Sequence, residues 1–314
     1  MGGQLESVNG SERRGVFRVG TSASGELAAL SRLFSPAAIR ELGRSGRSPL
    51  VARLLQDTSV PADLPGGATL RDAFDLGYAK LTKSGNRDDY VYRSSVVEKI
   101  ALGRHNLRTA TVLSEVRARA SKADLVILNG TATAYEIKSE RDSLSRLTSQ
   151  LSDYRSVFAS VTVVTSPFQT DAVLRLAPDD VGVLALSSRL RLQVVRETQD
   201  LPERIEPTAL LETLRSSEAA QVLEGIGIEA PDVPNTRLWA ELRKLFADLD
   251  PVEVHQHAVS VLKRSRSRAA QEAHIGTLPP SIRTAALFGD LDDGARANLS
   301  VATSTLMSSV MTWS

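Results

Sequence analysis

Over most of the first hundred residues, apolar side chains recur at every third or fourth position, a spacing that predicts helices. "GELAALSRLFSPAAIRELGRSGRSPLVARLL", from Gly25, carries it with breaks at Pro36 and across Gly43–Pro49. "TLRDAFDLGYAKL" repeats it, with Phe74 and Tyr78 one turn apart on one face. "SGNRDDY" reads as a turn, and "VYRSSVVEKIALGRH" as a further helix.

The pattern changes at Thr109. "TATVLSEV", "ADLVIL" and "TATAYEIK" are strand-like, and Asn129–Gly130 between the last two is a hairpin signal. "RDSLSRLTSQLSDYRSVF" returns to helical spacing, with Leu144, Leu147, Leu151, Tyr154 and Phe158 on one stripe. "VTVVTS", "VGVLAL" and "LRLQVVRE" follow as strands, with a short helix, "QTDAVLRLA", after the first. This order predicts an α/β fold, a mixed sheet with helices on its faces. A right-handed crossover should carry the 133–138 strand through the long helix to the 161–165 strand. Beyond Pro202 the chain reads as helical, and its last forty or so residues are polar and weakly patterned.

Composition narrows the class. With 42% hydrophobic and 24% charged residues, the chain of 314 residues is expected to be soluble and globular. No apolar run is long enough to span a bilayer, and the N-terminus lacks the features of a signal peptide, so a cytoplasmic location and no membrane partner are expected. The absence of cysteine excludes disulfides, thiolate zinc sites and cysteine nucleophiles. The net charge of +1 argues against coating DNA through many phosphates and confines any basic surface to local patches.

The candidate chemistry lies in the β-rich segment. Glu136 and Lys138 share one face of a strand because side chains alternate. Such an acid can hold a divalent metal, and the lysine can stabilise charge developing on a phosphate. A magnesium site needs a further ligand, and Asp124 opens the preceding strand. A two-residue Asn129–Gly130 turn would set Asp124 and Glu136 on opposite faces. A three-residue, bulged turn is therefore expected, pairing Asp124 with Ala134 or with Glu136 directly. Glu115, near the end of the first strand, is the third candidate metal acid, and Glu98 is a weaker one. Gln150 and Tyr154 lie one helical turn apart, with Gln150 placed to bond Lys138 or substrate, and Arg146 one turn earlier placed for a phosphate. Asp142 reads as a helix N-cap or first-turn acid. His255 and His257, about 200° apart on a helix, do not suit one metal. "KRSRSR" at 263–268 is a basic helix end, and Lys263 and Arg264 are its candidate nucleic-acid contacts.

Together these residues resemble the PD-(D/E)xK nuclease superfamily, in which an acid is followed by acid-x-Lys on the next strand. Here that reads Asp124, then Glu136-Ile137-Lys138, and "QLSDY" matches the Gln-x-x-x-Tyr helix of the RecB-like branch. Over most of the chain the likeness is closer to a bacterial and phage family, the sce-seventy-seven-twenty-six family. It is carried by Ser114-Glu115, Ala123-Asp124, Asn129-Gly130, Tyr135 to Ser139, Asp142, Leu144, Arg146-Leu147, Gln150 and Tyr154. Lys122-Ala123 stands where many superfamily members carry proline.

The resemblance implies a restriction-endonuclease-like mixed β-sheet core with N- and C-terminal helical additions. The expected organisation is a flexible tail (1–24), a helical region (25–95), the nuclease-like core (96–200), a second helical region (201–272) and an extension (273–314). The expected activity is Mg2+- or Mn2+-dependent hydrolysis of phosphodiester bonds, foremost in DNA. Asp124, Glu136, Lys138 and Gln150 would be catalytic, Glu115, Asp124 and Glu136 would hold metal, and Arg146, Tyr154, Lys263 and Arg264 would meet nucleic acid. The alternatives are a catalytically inactive nucleic-acid-binding or regulatory protein on the same fold, or a nuclease module active only within a partner complex. A homo-oligomer or a protein partner is compatible with either.

Overall fold

Six strands lie side by side in the order in which the chain makes them, β1-β2-β3-β4-β5-β6. They are β1 (Thr111–Ala118), β2 (Ser121–Asn129), β3 (Thr131–Lys138), β4 (Ser160–Thr165), β5 (Gly182–Leu186) and β6 (Leu192–Arg196). The computed structural model describes residues 23–314. The expected N-terminal tail therefore lies, up to residue 22, outside the described residues.

β1, β2 and β3 form an antiparallel meander, β3, β4 and β5 run parallel, and β6 returns antiparallel. The mixed sheet read from the sequence is thus present. The parallel step from β3 to β4 passes through helix Leu147–Arg155, as a parallel pair requires a crossover.

Both faces of the sheet are buried, and strand alternation decides which residue serves which face. Val112, Leu125, Ile127, Tyr135, Ile137 and Val164 point to one core, and Leu113, Val126, Leu128, Ala134, Val161 and Val163 to the other.

The first core is closed by α1 (Ala23–Leu33), α2 (Pro36–Ser45), α3 (Pro49–Gln56), α4 (Val60–Asp63), α5 (Leu70–Leu81) and α6 (Asp89–Val96), which runs into a π-helical turn at Val97–Ala101. Ser35 and Ser48 cap α2 and α3, each followed by proline at the first helical position, which places the chain breaks near those the sequence suggested. The second core is covered by α7 (Leu147–Arg155), α8 (Thr170–Leu176), α9 (Pro207–Leu211), α10 (Ser216–Ile226), α11 (Asn235–Ala247) and α12 (Pro251–Ser265).

The weakly patterned residues after 271 form α13 (Glu272–Thr277), α14 (Pro280–Leu287), α15 (Asp293–Thr303) and α16 (Met307–Val310). They return to the first core. Asn298 donates to the Gly43 carbonyl at the end of α2, and the Leu70 amide donates to the Thr305 carbonyl.

Candidate functional site

The β2–β3 hairpin decides whether the acids can meet. Leu128 pairs with Ala132 and Leu125 with Tyr135, so continuing the register puts Asp124 opposite Glu136. Gly130 occupies the tip with φ +80°, a conformation that favours glycine. The turn therefore has the direct-pairing register. No register shift interrupts β2–β3, so the bulge expected there is absent; the register shift of the sheet falls between Val183 and Leu184 of β5, and β1 keeps its register but has an unusual backbone at Glu115. There the pairs on either side, Ser114↔Leu125 and Val116↔Ala123, bracket Glu115, whose φ is +54°.

Glu136 is buried at the C-terminal end of β3, and both of its oxygens are engaged. Lys138 Nζ donates to Oε1 at 2.6 Å, and the Tyr154 hydroxyl lies 2.6 Å from Oε2. Lys138 Nζ also donates to Gln150 Oε1 at 2.9 Å. The i, i+4 spacing on α7 thus delivers Gln150 and Tyr154 to the two residues of the acid-x-Lys strand. Tyr154 has one proton and two acceptors, since the Lys122 carbonyl also lies 2.6 Å from its hydroxyl. Burial, then the charge of Glu136, raises the Tyr154 hydroxyl far above its ordinary value, so it stays protonated.

Asp124 receives the Ile137 amide on Oδ2 at 2.7 Å. Burial, then the neighbouring Glu136, pushes its carboxyl up to about 7, with the Ile137 amide opposing. Its other oxygen, Oδ1, lies 4.0 Å from Arg93 Nη2. The same guanidinium nitrogen reaches Asp89 at 3.0 Å and Glu115 at 3.5 Å.

Several expectations change. Glu115, Asp124 and Glu136 do not converge as a three-acid cage: among the described residues no group of three or more His, Cys, Asp or Glu side chains is arranged to hold a metal ion. The left-handed backbone turns Glu115 out to an exposed position beside Arg93. What remains is the adjacent pair Asp124 and Glu136. Two carboxylates side by side, one of them destabilised by the other's charge, suit a divalent cation that takes one or two carboxylates with waters and phosphate oxygens.

Tyr154 is fully buried, so it is a support for Glu136 rather than a contact for nucleic acid. The helix expected from Arg141 starts only at Leu147, and Asp142 accepts from the Ser139 amide and hydroxyl in the loop before it. Arg146 is exposed at the start of α7. Glu98 pairs with Arg283 at 3.5 Å, away from the carboxylates.

Lys263 and Arg264 end α12, where the Lys263 carbonyl accepts from Thr111 near the Leu128 end of the hairpin. Four residues of strand, about 13 Å, separate Thr111 from the Glu115–Asp124 level. Arg266, in the same basic run, is tied to buried Glu218.

Three residues had no signal in the sequence reading. Arg93 comes from α6, packed over the sheet end. Arg87 is buried and donates to the carbonyls of Thr82, Leu186, Ser187 and Ser188, fastening the approach to α6 onto the end of β5. Phe168, 92% exposed, stands on the turn after β4, where Gln169 bonds the Asp142 carbonyl.

The model of the family described as Bacteriophage P4 protein cII matches residues 82–278, well over half of the chain. The chain belongs to that family. Protein cII of Enterobacteria phage P4 is 35% identical over 127 residues, 39% of this chain and 48% of that protein. The chain thus spans about half the length of the curated relative it matches. The cII family match begins before α6 and ends after α13, so it includes Arg93, the carboxylate pair and α7. Among solved structures, a protein of unknown function from Silicibacter pomeroyi aligns over 38% of this chain and 80% of its own, at 20% identity and a TM-score of 0.26. Among the described residues no helix is long and apolar enough to cross a membrane.

Proposed function

We propose that this cII-family chain is a divalent-metal-dependent nuclease that hydrolyses phosphodiester bonds, foremost in DNA, in the cytoplasm. The observation that carries the reading is the Lys138 ammonium, held between Glu136 and Gln150, with a second carboxylate, Asp124, neighbouring Glu136. Hydrolysis adds a water oxygen to phosphorus, breaks a P–O bond, and leaves an alkoxide that must be protonated. A fixed ammonium stabilises the extra negative charge at phosphorus and orients the water. Gln150 fixes the direction of Lys138, and Tyr154 fixes that of Glu136. Asp124 and Glu136 would hold Mg2+ or Mn2+, which would polarise the phosphate and acidify bound water. Arg146 and Phe168 lie on loops at the same end of the sheet, where one can meet phosphate and the other can stack on a base.

A second reading has its own observation. Both Glu136 oxygens are satisfied internally, and Arg93 stands near Asp124, as in a structural polar network. That favours a catalytically inactive nucleic-acid-binding or regulatory protein on the same fold.

The test is incubation of the purified protein with Mg2+ or Mn2+ on single-stranded, duplex, nicked and branched DNA and on RNA, alongside Lys138→Ala and Glu136→Ala. Metal-dependent cleavage lost in both variants supports the nuclease. Cleavage that survives both places the chemistry elsewhere. Binding without cleavage under either metal favours the second reading.

A further inference from the structure

The sheet face opposite Glu136 and Lys138 carries an open cleft of about 410 Å3. Its floor includes Tyr135 of β3 and Leu184 of β5, and Ile100 of the π-helical turn forms part of the wall. Lys99, Arg104 and Arg191 reach it from three places: the π-helical turn, the turn after it, and the connection from β5 to β6. All three residues are exposed, and none of their side chains forms an ion pair or hydrogen bond among the described residues.

Arg196, also in the lining, differs. It is spent on the carbonyls of Val181, Ala177 and Pro178. Glu197 is the one acid in the lining. Burial raises the Tyr135 hydroxyl to about 12, and the charge of Arg104 opposes that rise.

Three unpaired cations against one acid leave the lining with excess positive charge, and a bound anion offsets it. An apolar floor under a cationic rim also selects the shape of the ligand: a flat, weakly polar ring joined to an anionic end. The volume lies within the range of small-molecule pockets.

We propose that this cleft is a second site, separate from the carboxylate pair, that binds the phosphate and base of one nucleotide. The base lies over Tyr135, Leu184 and Ile100, and the phosphate meets Arg104 and Arg191, with Lys99 adding charge. The ligand is either a free nucleotide or one unit of a strand. The inference does not depend on hydrolysis at Lys138.

The experiment uses the full chain in EDTA, so that no metal-dependent cleavage consumes the probe. Adenosine 5′-monophosphate and a short fluorescein-labelled thymidine oligonucleotide are titrated separately, with inorganic phosphate as a competitor. Variants are Arg104→Glu/Arg191→Glu, the neutral Arg104→Gln/Arg191→Gln, and Lys244→Glu on α11 as a control, each checked for fold by circular dichroism. The expected result is binding of at least one probe by the parent chain. The charge-reversed pair should weaken it tenfold or more, with a smaller loss in the neutral pair and less than a twofold change in the control. The salt slope for the oligonucleotide should fall by roughly 1 to 2 in the charge-reversed pair. Mononucleotide binding that competes with the oligonucleotide identifies a free nucleotide as a ligand; oligonucleotide binding alone identifies a strand. No binding of either probe, or equal binding by folded parent and charge-reversed chains, overturns the proposal.

Discussion

The Tyr154 hydroxyl stands 2.6 Å from Glu136 Oε2, inside the interface between α7 and the sheet. It is the helix's hold on the acid. Tyr154→Phe keeps the ring and removes this donor. It should cost about 1–3 kcal/mol in urea unfolding. If the chain is a nuclease, cleavage should fall while some activity remains, because Lys138 still bonds Glu136. Unchanged stability would show that Glu136 does not need this partner.

Glu136 and Lys138 form a buried ion pair, so removing either leaves the other uncompensated. Glu136→Gln and Lys138→Met should each destabilise by about 3–5 kcal/mol. The double variant should cost less than the sum of the two, because neither partner is left charged in the interior. Equilibrium unfolding of all four chains measures the coupling, and strict additivity would contradict it. The cycle also separates loss of chemistry from loss of fold in the nuclease assay.

Glu115 adopts a left-handed backbone within a strand, which costs a side-chain-bearing residue about 1–2 kcal/mol. Its exposed contact with Arg93 at 3.5 Å returns little of that. Glu115→Gly should therefore raise the melting temperature, by roughly 2 °C in a chain of this size. A lower melting temperature would mean that the Arg93 contact outweighs the strain.

Glu218 sets a pH dependence far from the candidate site. Burial alone would raise its carboxyl, but the bonds from Arg266, the Arg215 amide and Ser265 outweigh burial and bring it down to about 2. A carboxyl lowered by folding contributes stability that is complete above its ordinary value near 4.5 and is lost as pH falls towards 2. Stability should decline across that window, and Glu218→Gln should decline less steeply. Glu218→Gln should also cost about 3 kcal/mol at neutral pH, because Arg266 loses its charged partner. Urea melts at several pH values check both statements.

The acid-x-Lys strand, the hairpin register and the i, i+4 pair on α7 were legible because each follows from a local period. Alternation puts Glu136 with Lys138, Gly130 permits the tip that aligns Asp124 with Glu136, and one helical turn joins Gln150 to Tyr154. Arg93 was not legible, because its place depends on how α6 docks across the sheet end. The left-handed turn at Glu115 was also hidden, since neither composition nor period marks it, and it is what separates the third acid from the other two. The helices after residue 271 carry little sequence signal because much of their surface is polar and their partners lie more than two hundred residues earlier.

That long return governs the order in which the chain can mature during synthesis. Each strand lies next to the one made just before it, so the sheet can grow as the chain emerges. The first helices cannot finish so early. The Gly43 carbonyl waits for Asn298, the Ala68 carbonyl for the Met307 amide, and the Leu70 amide for the Thr305 carbonyl. These helices are completed by a segment made more than two hundred residues later, and until then they leave apolar surface open for chaperones or for misassembly.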